Sequence, residues 1–363
     1  MRNLYVVVVA AVAIAYLSTS LRNILLIVYP DMLPDLYEAP SSVRGVHNHC
    51  DFAQQHVRIV ENVHSFRDVK KIVDKGLFGD GWEPILFKKF LVDPEEKWKR
   101  VIDKHKDAKL LFAEVDVKSF GNVFLPGIRN HGKVETTLEA AVSEAERTNN
   151  SSFFASFAPF LDPETSKQIL KMSDEEYKSI LIDTNFVSNF QETVLATAIH
   201  SAVPPNSYGI QLMGRKLWVF LPPNEMESFD AVNVGPTILF SGSEAEMASR
   251  SGRYIVAVQE EGDLLFFPPQ WGHAVITKSG VNVMCNVREF AMVKSFFTYP
   301  RKVLEGLFAK IYLDGIAAPF NHARLNNAQQ KMKSYLEDRY AADPNFAAPD
   351  SGCRDTWVEM LNR

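Results

Sequence analysis

The chain has 363 residues, 46% hydrophobic and 23% charged, with a formal net charge of −5 at pH 7. That length accommodates one large domain or two modest ones with a sizeable core, and the acidic balance argues against a broad nucleic-acid surface, which would be basic. Three cysteines, Cys50, Cys285 and Cys353, are too few and too scattered for a disulfide framework or a zinc site; a single bridge, for example Cys50 to Cys353, stays open.

Residues Leu4 to Leu17 read LYVVVVAAVAIAYL behind Arg2, a basic stretch followed by an apolar one. This is the pattern of a secretory signal, and the uninterrupted run is short for a membrane span. Apolar character resumes from Ile24 to Tyr29. Residues 1–30 are therefore expected to be a signal peptide cleaved near Ser20, or a signal anchor with the body of the chain in the lumen. Residues 31–55, rich in Pro, Ser and acidic side chains as far as Asn48, read as a linker. Overlapping N-x-S sequons at Asn149 and Asn150 agree with a glycosylated, lumenal or secreted protein.

Residues 56–192 alternate helical and strand-like stretches, an α/β region expected to buttress the strand-rich part of the chain beyond it. Phe66 to Lys75 and Glu95 to His105 carry charges at helical spacing, and the basic cluster Lys97 to Arg100 reads as a solvated helix face. Pro84 to Phe87 and Lys109 to Ala113 are short strands. Thr136 to Thr148, rich in Ala and Glu without a breaker, is a helix. Asp162-Pro163-Glu164-Thr165 caps another over Ser166 to Met172, and Ser173-Asp174-Glu175-Glu176 opens a third.

From residue 193 to 297 the character changes to short apolar strands separated by Gly, Pro and Asn: Tyr208–Met213, Leu217–Leu221, Thr237–Phe240, Tyr254–Val258, Asp263–Phe267, His273–Thr277 and Val281–Val287. Such spacing predicts a sandwich or barrel, so the chain reads as mainly β with flanking helices. Helical patterns return over 298–363, notably Lys302 to Leu313 and Ala323 to Tyr340.

Two segments carry chemistry. Thr197-Ala198-Ile199-His200 is followed by Gln211-Leu212-Met213-Gly214-Arg215-Lys216-Leu217-Trp218 and Leu221-Pro222-Pro223. Further on comes Gly262-Asp263-Leu264-Leu265-Phe266-Phe267-Pro268-Pro269-Gln270-Trp271-Gly272-His273, with Asn286 downstream. Gly262-Asp263 reads as a turn, Leu264 to Phe267 as a buried strand, and Pro268-Pro269 as its stop. A His at the mouth of one strand and another at the start of an earlier one suit two neutral imidazoles converging on a divalent metal. Trp218 and Trp271 read as packing residues.

These segments resemble the JmjC and cupin-like Fe(II)/2-oxoglutarate oxygenases, best over Thr193 to Phe290. The resemblance implies a double-stranded β-helix (jelly-roll) core, with His200 and His273 as the iron-binding histidines. It implies Lys216 as the partner of the distal carboxylate of 2-oxoglutarate, and Thr197 and Asn286 as polar contacts of that cosubstrate. It also implies a protein or small-molecule substrate and, by analogy, a homodimer through the C-terminal helices.

One departure stands out. The family's first motif is H-x-D or H-x-E, whereas this chain reads His200-Ser201-Ala202. Without that carboxylate the site is inactive, or an acid such as Glu192 swings in, or an exogenous anion fills the gap. Two functions are open: an Fe(II)/2-oxoglutarate-dependent hydroxylase of the secretory pathway with an incomplete triad, or an inactive, membrane-anchored cupin-like binding domain.

Overall fold

The computed structural model describes residues 55–75, 82–114, 133–147, 152–155, 163–178, 180–189, 195–196, 200–202, 205–222, 231–234, 237–240, 255–269, 271–277 and 280–290. In chain order the elements are β1 (Gln55–His56), β2 (Arg58–Val60), α1 (Phe66–Lys75), β3 (Ile85–Phe87), α2 (Pro94–His105), β4 (Lys109–Glu114), β5 (Lys133–Thr137), α3 (Leu138–Arg147), β6 (Ser152–Ala155), α4 (Pro163–Leu170) and α5 (Asp174–Lys178). Then come β7 (Ile180–Asn189), β8 (Leu195–Ala196), β9 (His200–Ala202), β10 (Pro205–Met213), β11 (Lys216–Leu221), β12 (Ala231–Val234), β13 (Thr237–Phe240), β14 (Ile255–Gln259), β15 (Leu264–Phe267), β16 (Gly272–Thr277) and β17 (Gly280–Phe290).

Local chemistry sets several of these boundaries. Ser65 Oγ accepts the Asp68 amide at 3.2 Å and starts α1. At α5, Ser173 Oγ accepts the Glu176 amide while Glu176 Oε2 accepts the Ser173 amide at 2.8 Å, a reciprocal capping box. The helix expected from Thr136 begins two residues later. Thr136 and Thr137 end β5, which pairs with β4, and Thr137 Oγ1 caps α3 by accepting the Ala140 amide. β-branched residues fit a strand better than a helix start.

The protein is mostly β. The strands form two sheets, one of eight strands in the order β1-β14-β11-β16-β9-β13-β12 with β8 against β16, the other of nine in the order β2-β3-β15-β10-β17-β7-β6-β4-β5. All seven strands expected between 193 and 297 are present. The nine-stranded sheet also takes in β7, whose pairing with β17 runs from Gly280↔Asn189 to Glu289↔Ile180. The sequence hid β7 because Asp183, Thr184 and Asn185 interrupt its apolar run.

One face of the nine-stranded sheet is covered by helices. Phe66, Val69 and Val73 of α1, Trp98 and Val101 of α2 and Leu138 and Val142 of α3 pack with Phe87, Tyr208, Ile210, Phe266, Val283 and Val287. Tyr208 sits edge-on to Phe66, ring centroids 4.9 Å apart, and its hydroxyl donates to Glu289 Oε2 at 3.1 Å. Glu289 also pairs with Lys70, which ties α1 to the sheet. The opposite face meets the eight-stranded sheet across a second core of Leu86, Leu265, Phe267 and Met284 against Trp218, Phe220, Ile255, Ala257, Trp271 and Val275.

Among the short connections that cross between the sheets are 214–215, from β10 to β11, 260–263, from β14 to β15, and 278–279, from β16 to β17. Gly262, in the second, has φ +84, and a Cβ there would lie 2.9 Å from the Leu91 carbonyl oxygen, so the turn requires glycine. Asp263 beside it is buried. Its carboxylate accepts from Lys88 Nζ at 2.7 Å and from the amides of Lys89 and Glu260. Burial works against the charge on Lys88, but the bonds to Asp263 and Glu260 hold its pKa above the ordinary lysine value. The Gly-Asp pair thus locks β3 to β15.

Among the described residues no helix is long and apolar enough to cross a membrane. The N-terminal segment, Cys50 and Cys353, the sequons and the C-terminal helices expected from the sequence all lie outside the described residues. Cys285 is buried against the helices.

Candidate functional site

Strand register defines the interior face of the eight-stranded sheet. Residues directly opposite one another on paired strands share a face. Lys216 lies opposite Gln259 and Thr277, Trp218 opposite Ala257 and Val275, and Phe220 opposite Ile255 and His273. Trp218, Phe220, Ile255, Ala257 and Val275 belong to the inter-sheet core. All three rows therefore look inward.

His200 is paired directly with His273 across β9 and β16. Positions 200 and 273 thus occupy one interior row. His273 is 5% exposed. Its Nδ1 lies 3.1 Å from the Trp271 carbonyl oxygen. A carbonyl can only accept, so Nδ1 carries a proton. Aromatic rings flank it: Phe267 with centroids 4.8 Å away, Trp218 at 5.9 Å and Phe220 at 6.1 Å.

Ala202, two positions beyond His200, belongs to the same face of β9 by strand alternation and pairs with Thr237. Its methyl group offers no donor. No group of three His, Cys, Asp or Glu side chains capable of holding a metal occurs among the described residues. Glu192, the alternative acid, and Thr197 lie outside them.

Lys216 is 3% exposed and sits two rows from the histidines, about 13 Å along the strand at the usual rise of ~3.3 Å per residue. Burial lowers its pKa to about 7. Asn286 is also buried; it shares a face of β17 with Met284 and pairs with Gly209 and Asp183. Of the residues singled out in the sequence, His273, Lys216 and Asn286 are buried, and backbone pairing sets position 200 opposite His273.

Sequence reasoning missed a polar group at the Lys216 end. Gln259 is fully buried; its Oε1 accepts the Trp218 indole N–H at 2.9 Å and its Nε2 donates to the carbonyls of Gly209 and Asp263. Gln211 Nε2 donates to the Met213 carbonyl at 2.6 Å and reaches Asn282 at 3.5 Å, while Gln211 Oε1 is buried with no partner among the described residues. Alternation from Ile255 through Ala257 to Gln259 was the one available signal. Trp218 and Trp271 prove to be packing residues, the latter's indole donating to the Trp82 carbonyl at 3.1 Å.

Comparison with models of known protein families and with curated proteins gives no match.

Proposed function

We propose that the two sheets form a double-stranded β-helix of the JmjC/cupin-like Fe(II)/2-oxoglutarate oxygenase type, and that the protein acts as a hydroxylase on a protein or small-molecule substrate in the secretory pathway. The observation that carries this reading is the direct pairing of His200 with His273 on an interior face that also holds the buried Lys216. The strand order adds support. The chain passes back and forth between β14-β11-β16-β9 of one sheet and β15-β10-β17-β7 of the other through short connections. A jelly roll needs that winding.

The donor set fits iron in part. His200 and His273 would hold the metal through neutral imidazoles, and Lys216, Asn286 and Thr197 would hold 2-oxoglutarate. Bound iron would activate O₂ while 2-oxoglutarate supplied two electrons. The chain's own residues hold a proton on His273 Nδ1 through the Trp271 carbonyl, flank that ring with Phe267, Phe220 and Trp218, and offer a buried amine to a carboxylate. A substrate-binding role without catalysis is the second reading, and Ala202 favours it, because two neutral ligands hold a divalent ion less firmly than two plus a carboxylate. The N-terminal apolar segment and the sequons support lumenal or secreted placement and a membrane attachment at one end.

Titration of the purified protein with Fe(II) or Mn(II), with and without 2-oxoglutarate, tests the site, and conversion of 2-oxoglutarate to succinate separates the two readings. Metal binding with turnover supports the oxygenase. Binding of 2-oxoglutarate without turnover supports the binding domain. Binding of neither removes both.

A further inference from the structure

Among the described residues, Lys216 is left without a counter-charge. Lys216 is buried on the interior face, and no described carboxylate pairs with it. Its row neighbours are Gln259 and Thr277, both neutral, and the amide of Gln259 is already committed to Trp218, Gly209 and Asp263. The acids closest in sequence to this end have other partners. Asp263 binds Lys88, Glu260 binds Lys88 and Arg215, and Glu261 accepts the Gly214 amide at 2.7 Å. A buried ammonium without a counter-charge costs far more than a buried amine.

The interior positions of the surrounding strands add few charges. On β14 they are Ile255, Ala257 and Gln259; on β16 they are His273, Val275 and Thr277. On β15 and β10 they are Leu265, Phe267, Ser207, Gly209 and Gln211. On β17 they are Asn282, Met284, Asn286 and Arg288, and the row of Asn286 continues to Asp183 on β7. His200 takes its place through His273.

Resting on the 2-oxoglutarate reading of this same site, we propose that a carboxylate ligand enters together with one proton, which ends on Lys216 Nζ. The ligand then brings the counter-charge that Lys216 lacks among the described residues. No covalent bond is made or broken beyond the new N–H; the proton comes from solvent. The low basicity of the buried amine agrees with this, because at pH 8 most of it would be unprotonated in the empty protein. Both carboxylates of 2-oxoglutarate are already ionised at that pH, so the proton is not the ligand's own.

Calorimetric titration of the Mn(II)-loaded protein with 2-oxoglutarate at pH 8, in Hepes and in Tris, measures the proton directly through the different ionisation heats of the buffers. Uptake close to one proton per ligand is expected, with affinity flat below pH 6 and falling about tenfold per pH unit above pH 8. Lys216→Arg, whose guanidinium stays charged, should bind without uptake and without that pH dependence. Binding by the wild type with no uptake and a flat profile overturns the inference and leaves the ligand reading intact. Uptake that persists in Lys216→Arg places the proton elsewhere, on a histidine or Asp183, and also overturns it. Absence of 2-oxoglutarate binding at every pH, with Mn(II) bound, sinks the ligand reading and this inference with it.

Discussion

Replacing Lys216 with methionine keeps a flexible, unbranched side chain at a position that is 3% exposed and removes its amine. In the ligand-free protein, burial lowers the pKa of that amine from 10.5 to about 7. The unfolded chain therefore holds more protons at this position than the folded one between pH 7 and 10.5. Wild-type stability should rise with pH through that window and be weakest below it, where the folded protein must carry a buried ammonium. With a folded value of about 7 the rise between pH 6 and 9 is about 3 kcal/mol, approaching ~1.4 kcal/mol per unit at the upper end. Lys216→Met lacks this term, so the stability difference between the two proteins should shift by about 3 kcal/mol across that range, the variant gaining at low pH. Urea unfolding at pH 6, 7, 8 and 9 measures both, and subtraction cancels every other titrating group. Parallel curves would mean that Lys216 is charged at all these pH values and has a counter-ion, which would refute its assignment as an unpaired buried amine.

Ala202→Asp should tighten Mn(II) binding at least tenfold, because alternation puts position 202 on the face of His200 and adds an anionic donor there; equal affinity for wild type and variant in a metal titration would show that the site lies elsewhere. Asp263→Ala leaves Lys88 with Glu260 alone and the amides of Lys89 and Glu260 without this acceptor, and should cost about 1–3 kcal/mol in urea unfolding. A loss under 1 kcal/mol would contradict the role given to the Gly-Asp turn. Gly262→Ala places a Cβ against the Leu91 carbonyl at positive φ and should cost about 1–3 kcal/mol, read as a lowered thermal midpoint. For the expected lumenal placement, treatment of protein from a eukaryotic host with a glycan-removing enzyme should increase its gel mobility, and Asn149→Gln with Asn150→Gln should abolish the shift.

Local chemistry in the sequence was enough for many of the elements and for the order of the chemical groups. Apolar runs closed by Pro268-Pro269 or opened by Gly262-Asp263 marked the strands, and Ser173 and Glu176 marked a helix start. These signals act over a few residues, so they can be read in one dimension. Register is different, because it joins strands far apart in the chain through backbone bonds that no local pattern encodes. Tertiary structure alone set His200 opposite His273, drew the interrupted strand from Ile180 to Asn189 alongside β17, and turned Gln211, Gln259 and Asn282 toward the interior. It also gave Asp263 to Lys88 as a structural ion pair rather than to the site, and left the Lys216 amine buried among neutral groups. Burial and charge pairing depend on which strands meet, and that is decided only when the two sheets close on each other.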